Sequence, residues 1–361
     1  MPWLYRCQKE KNGEIKIINM IKIKLKNLKE NTFIICSVAV LSFVCLKYVT
    51  INSNMNVNTD LFYYIDLYNN LSISNLMILR YEKLFLIILL IFKYIGFNGY
   101  TALALMNICS FYLLFLSLKK IKFDSKILFV YLLYFIYPFC YDILQVRFFL
   151  AYSLSTFAMS CYMNDKKKIK FLILLLAAFF IHKIVIVYVL FLFTNNIGKQ
   201  FGLLLSFSFS IILAYIFSMP KFYTNDMYSF LDLSIQTMTV NYFIVLLRQM
   251  IIIYCLYKSY IFLKKNGFVE QQYVNQVIKL NIFLLAFLVG FFVNRTGLDL
   301  FRIYRGLYFL DYVMIFYPVK FNNEMRKKYK VQSSQAIMLL LIVLLSINDY
   351  YSVLKLFLNI F

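Results

Sequence analysis

Apolar runs follow one another along this chain, at 32–50, 84–97, 100–118, 127–141, 145–163, 170–194, 201–219, 240–262, 280–293, 303–319 and 335–350. At a helical rise of about 1.5 Å per residue, most can cross or nearly cross a hydrocarbon layer of about 30 Å. The pattern predicts an all-α, polytopic integral membrane protein with about 9–12 transmembrane or re-entrant helices. Lysine and arginine crowd the N-terminus and the links 119–126, 166–170, 264–279 and 320–330, which are therefore expected on the cytoplasmic side. The links 51–83, 142–146, 220–238 and 294–302 and the C-terminal tail, with most of the acids and asparagines, are then outside.

This alternation leaves two apolar runs between an outer and an inner link at 84–118 and again at 170–238, so one run of each pair does not cross. Run 84–97 is short, carries Lys93 and is followed by Gly96 and Gly99, which predicts a re-entrant or interfacial element. In the second pair, either 170–194 bends back near His182 or 201–219 crosses incompletely. No tandem repeat or Pro/Gly-rich linker appears. The expected organisation is a basic cytoplasmic segment at 1–31 and one membrane domain at 32–361, with outer loops near 51–83 and 220–238. The run from Phe33 to Tyr48 reads as a first anchor helix and not as a cleavable signal; Met20, followed by IKIKLKNLKE, would make a natural start with a basic flank.

Composition narrows the function classes. With 62% hydrophobic and 15% charged residues, the chain is no ordinary soluble domain. Its formal charge of +22 would suit a nucleic-acid binder, but the lysines cluster between apolar runs instead of lining one face, so the expected partner is the lipid bilayer and not nucleic acid. The seven cysteines form no CxxC or Cys/His pattern, and we expect no disulfide, metal or cofactor.

Charges inside apolar runs are costly and call for a reason. Arg147 stands nineteen residues before Lys166, about 28 Å by helical rise, and His182 fourteen beyond Lys168, about 21 Å. Both approach the outer face on segments joined by one turn. Arg302 and Arg305 stand at similar heights above Lys320, three apart on one helix face, and Arg295 and Arg248 lie about 24 Å from Lys279 and Lys264. With the outer acids Asp60, Asp66 and Glu82, these arginines outline a cationic cavity near the outer leaflet.

A guanidinium donates paired hydrogen bonds and keeps its charge, which suits a diphosphate or another anion. The plain alternative is that each arginine snorkels to lipid headgroups from a helix end, least conveniently for Arg248 in mid-run. His182 suits a general base or a hydrogen-bonded core histidine. Asp60, in NTDLFYYIDLYNN, is a second candidate base or a binder of sugar hydroxyls. Tyr63, Tyr64 and Tyr68 offer stacking surfaces there, or an interfacial aromatic belt. Asp311 lies deeper and can pair with a neighbouring helix.

The order QVRFFLAYSLSTFAM, basic turn KKKIKF, then LLLAAFFIHKIVIVYVL resembles the signature of the EpsG-like, Wzy-type polysaccharide polymerases. TDLFYYIDLY, the glutamate in RYEKLFLIILLIFKYIGFNGY and FRIYRGLYFL extend the resemblance over about 32–350. Departures are Phe148, where a glutamine often follows the arginine, and Lys183 after the histidine. The resemblance implies a GT-C-like fold in the cytoplasmic membrane of a bacterium and polymerisation of undecaprenyl-diphosphate-linked oligosaccharides at its outer face. A chain-length regulator and a flippase would be partners. On that reading Arg147, Arg302 and Arg305 hold the departing diphosphate, with Arg295 and Arg248 also binding substrate. His182 or Asp60 takes the acceptor proton; Glu82 positions sugar or orients an arginine, and Tyr64 binds sugar. A lipid-linked oligosaccharide flippase, an O-antigen ligase and a sugar O-acetyltransferase are the rival readings; the flippase would be expected to show two related halves, and no convincing duplication is visible.

Overall fold

The computed structural model describes residues 60–79, 81–123, 127–194, 235–294, 301–323, 339–342 and 344–345, which contain helices and no strand. The N-terminal segment 1–31, the expected runs 32–50 and 201–219, and the parts 51–59 and 220–234 of the expected outer loops lie outside the described residues. The first helices are α1 (Asp60–Asn70), α2 (Lys83–Tyr94) and α3 (Gly99–Lys120). They are followed by α4 (Ile127–Ile136), α5 (Phe139–Leu144), α6 (Val146–Asp165) and α7 (Lys168–Phe179), then a 3-10 helix at Lys183–Thr194. The second half holds α8 (Ile235–Lys265), α9 (Gln271–Asn294), α10 (Phe301–Arg305), α11 (Tyr308–Phe316) and a 3-10 turn at Tyr317–Asn323.

Helix α6 is the hub. It packs most extensively on α3 and then on α7, and it is buried on nearly every side. Its small residues, Ala151, Ser153, Ser155, Thr156, Ala158 and Ser160, let neighbouring backbones approach closely. Ser155 satisfies its hydroxyl on the Ala151 carbonyl at 2.9 Å, and on α3 Ser110 does the same with Met106 at 2.8 Å. Helix α3 starts where Asn98 caps it, accepting from the Thr101 N–H at 2.9 Å.

Helix α7 is apolar on both faces. Phe171, Leu175 and Ala178 are buried in the bundle, while Ile169, Leu172, Ile173, Leu176 and Phe180 form an exposed stripe on the other side, Ile169 and Ile173 at 75% and 61%. Helix α8 likewise exposes Phe243, Leu246, Leu247 and Met250. Large side chains at helical spacing on an outer surface suit lipid and not water. Gly99–Lys120 and Phe243–Lys265 are long and apolar enough to cross a membrane.

The run 170–194 does not continue as one helix. Helix α7 ends at Phe179, the chain turns through Phe180 to His182, and the 3-10 helix returns alongside: Phe191, near its end, meets Phe171, near the start of α7, with ring centroids 6.2 Å apart. Of the two expectations for this region, the structure therefore has the bend at His182. Helix α2, at twelve residues, spans only about 18 Å. Its Lys93 caps the end of α1, donating to the carbonyls of Tyr68, Asn69 and Leu71 at 3.2, 2.8 and 2.7 Å. After it, Gly96 takes φ +93°, a left-handed conformation that ends the helix at little cost only without a Cβ.

Polar side chains tie the second half together. Asp311 on α11 accepts from Asn281 on α9 at 2.8 Å, and Asn281 accepts in turn from Gln249 on α8. The neighbouring-helix pairing expected for Asp311 is thus present.

Candidate functional site

The site begins at the break between α5 and α6. Helix α5 lasts six residues; Gln145 then leaves helical geometry at φ −101°, ψ 55°, and α6 starts at Val146. The break places Asp142, Gln145 and Arg147 close together at one end of the bundle. Asp142 is fully buried. One of its carboxylate oxygens, Oδ2, accepts the hydroxyls of Tyr134 on α4 and Tyr152 on α6 at 2.5 and 2.6 Å. The other, Oδ1, lies 3.0 Å from Nε of Arg305, the last residue of α10. Arg305 also donates to the Gln145 side-chain oxygen, and its guanidinium faces the rings of Phe148 and Tyr141 at 5.1 and 5.6 Å.

A second ion pair lies beside the first. Arg147 Nη1 meets Glu82 Oε2 at 2.6 Å, and the Arg147 guanidinium faces Tyr81, Phe85 and Tyr64 at 5.1, 5.9 and 6.0 Å. Glu82 Oε1 accepts the backbone N–H of Lys183 at 3.2 Å, so one carboxylate links the start of α2, the start of α6 and the turn after α7. His182, at that turn, sets its ring edge against Phe148 with centroids 5.5 Å apart. Phe148 therefore lies between the histidine and Arg305. Arg302, three residues before Arg305 on α10, is half-buried.

Of the residues predicted from sequence, the structure brings together Arg147, His182, Glu82, Tyr64 and Arg305, and it places Arg302 on the same short helix as Arg305. Tyr64 is buried and packs edge-on against Phe85, where its ring serves the arginine. Arg248 stands one aromatic layer away: its guanidinium lies 4.4 Å from the Tyr137 ring, and Tyr137 packs on Tyr141 at 6.4 Å, the ring that faces Arg305. Arg248 is buried and also donates to the Leu345 carbonyl at 3.3 Å, so it does not snorkel. Asp66, expected in the cavity, is exposed and accepts from Asn70 on its own helix. Arg295 lies outside the described residues, as does the Asp60 side chain, whose backbone opens α1.

Sequence reasoning missed Asp142, Gln145, Tyr134 and Tyr152. The stretch 142–146 reads as an outer link, yet the signal was present: an acid between apolar residues, five before Arg147, has to find a cation. The glutamine beside Arg147 that the structure uses is Gln145, two residues before it, whose side-chain oxygen accepts from Arg305.

A family comparison bears on the same stretch, because a model of the EpsG family matches residues 32–358 and so covers every site residue described above. This chain belongs to the EpsG family. No curated protein matches it, and no solved structure does. Membership of the EpsG family gives the chain a polysaccharide-polymerase-like role, with glycosyltransferase-like chemistry at the coarse level, and agrees with the apolar outer surfaces in associating it with a membrane. For a chain of the EpsG family the arrangement offers two arginines, each paired with one carboxylate, near a histidine that packs on Phe148.

Proposed function

We propose that this chain polymerises oligosaccharide repeat units carried on undecaprenyl diphosphate, at the outer face of a bacterial cytoplasmic membrane, through a multi-pass, GT-C-like membrane domain at 32–361. The observation that carries the reading is a pair of arginines held beside His182, Arg147 through Glu82, which also accepts the Lys183 N–H, and Arg305 through Phe148, in a bundle whose outer helices expose apolar stripes. Such a site suits an anionic headgroup on a membrane-borne tail. The bond that breaks joins the anomeric carbon of the growing chain to its diphosphate. The bond that forms joins that carbon to a hydroxyl of the next lipid-linked unit. His182 takes the hydroxyl proton, and the arginines take the charge that develops on the departing diphosphate.

Glu82 occupies Arg147 in this structure, so the diphosphate competes with Glu82 for that guanidinium. Both side chains of this pair are partly exposed, at 17% and 10%, which suits an exchangeable contact. The test is deletion of the gene, complementation with Arg147→Ala or His182→Ala, and gel analysis of surface glycan. The expected result is single repeat units on the surface in place of long chains. Units trapped inside the cell would point to a flippase, and full-length chains in a well-expressed Arg147→Ala strain would overturn that residue's assignment.

A further inference from the structure

We propose that Asp142 is a positioning residue of this site, which sets the orientation of the Arg305 guanidinium for a lipid diphosphate without touching the substrate itself. The inference rests on the polymerase reading above and names a residue that neither the sequence pattern nor the family assignment singles out.

The two carboxylates that hold arginines differ in kind. Glu82 is partly exposed and sits where a chain segment enters α2, so an anion can take its place. Asp142 has no exposure, and three helices close around it: α5 carries it, while α4 and α6 supply the tyrosine hydroxyls that fill Oδ2. Nothing from outside can displace it. A carboxylate beside a diphosphate-binding arginine subtracts from the local positive charge, so its contribution is not affinity by charge. It fixes direction. A guanidinium is a planar fork of five N–H groups; Gln145 accepts from one terminal nitrogen, and Asp142 draws the Nε edge by charge at 3.0 Å, so the two hold the fork from different edges. Phe148 and Tyr141 bound it on its faces.

The backbone beside Arg305 is built for this closeness. A Cβ at Gly306 would overlap the Tyr188 hydroxyl and come within 3.1 Å of Cβ of Tyr152, the residue whose hydroxyl holds Asp142. The glycine thus brings the Arg305 segment against the same tyrosine that anchors the carboxylate. Arg305, Gly306, Tyr152 and Asp142 form one connected unit, with the anionic partner at its sealed end.

The experiment uses the full-length protein in detergent, titrated with undecaprenyl diphosphate and followed by its thermal transition, alongside glycan length in complemented cells. The wild type is expected to shift upward, and Arg305→Met to lose the shift. Asp142→Asn keeps the shape but loses the charge, and should need about tenfold more ligand for half the shift, as one buried ion-pair contact is lost. The double variant should be no worse than Arg305→Met alone, because Asp142 acts through that residue. Where Asp142→Asn fails to fold, Tyr152→Phe removes one hydroxyl from the carboxylate at unchanged charge and should weaken half-saturation about threefold. Wild-type half-saturation in whichever of the two variants folds overturns the positioning role alone. No shift in the wild type overturns the diphosphate reading itself, and this role with it.

Discussion

Replacing Gly306 by alanine tests whether the close approach between the Arg305 segment and α6 is built as the structure has it. The new methyl would overlap the Tyr188 hydroxyl, which donates to the Ile303 carbonyl at 2.7 Å, and would crowd Tyr152 Cβ at 3.1 Å. Tyr188 is fully buried in the 3-10 helix, with no open side toward which its ring can swing. Overpacking at a well-filled position costs about 1–3 kcal/mol. Loss of the Tyr188 bond, with the Ile303 carbonyl left buried, adds about 1–3 kcal/mol. Gly306→Ala should therefore destabilise by roughly 2–6 kcal/mol, lowering the thermal midpoint in detergent and the amount of protein in membranes. The same reasoning predicts a suppressor. Tyr188→Phe alone costs about 1 kcal/mol for its hydrogen bond, but in the Gly306→Ala background it removes the clashing oxygen. The double variant should then melt above Gly306→Ala. A midpoint unchanged by Gly306→Ala, or a double variant that melts at the sum of the two single losses, would refute the reasoning.

Two further outcomes follow from other contacts. Asn281→Leu, with the same number of side-chain heavy atoms, removes the Asn281 donor to Asp311 and the acceptor of Gln249, leaving two buried polar groups without these partners among α8, α9 and α11. A loss of about 2–4 kcal/mol is expected in chemical or thermal unfolding, and a wild-type midpoint would show that this network contributes little. Asp165, at the polar end of α6, accepts from Lys120 at 2.9 Å, and that hydrogen bond holds its carboxyl below the ordinary carboxylate range. The stabilisation is present above the unfolded carboxylate range and is lost as pH falls through the lower folded value. Asp165→Asn should thus change the midpoint by less than about 1 kcal/mol at neutral pH and flatten its decline only in acid; a large neutral-pH loss would contradict the solvent-screened character of this partly exposed pair.

The legibility of the site varied residue by residue. Arg147 and His182 were readable because each is a costly polar group at a measurable helical distance from the same lysine turn, and the structure does bring both to Glu82 and its neighbours. Arg305 was readable for the same reason, but its partner was not. Asp142 looks like loop polarity when judged by its neighbours in sequence, and only burial shows it to be a counter-ion. Arg248 illustrates the converse: height along a helix put it in one cavity with the others, whereas its lateral position is decided by which face of α8 meets Tyr137.

By itself, the sequence determined the helical class and the membrane association, and it placed Arg147 one helix length from Lys166. These follow from apolar run length, a fixed rise per residue and the placement of lysines, all of them local and one-dimensional. Tertiary structure alone decided that the run 170–194 turns back at His182, that Glu82 reaches Arg147 across sixty-five positions, and that Asp142 meets Arg305 from a distant helix. Those outcomes depend on rotation about helix axes and on close packing at Gly306 and the small residues of α6, where the energy of a contact is set by neighbours remote in the chain.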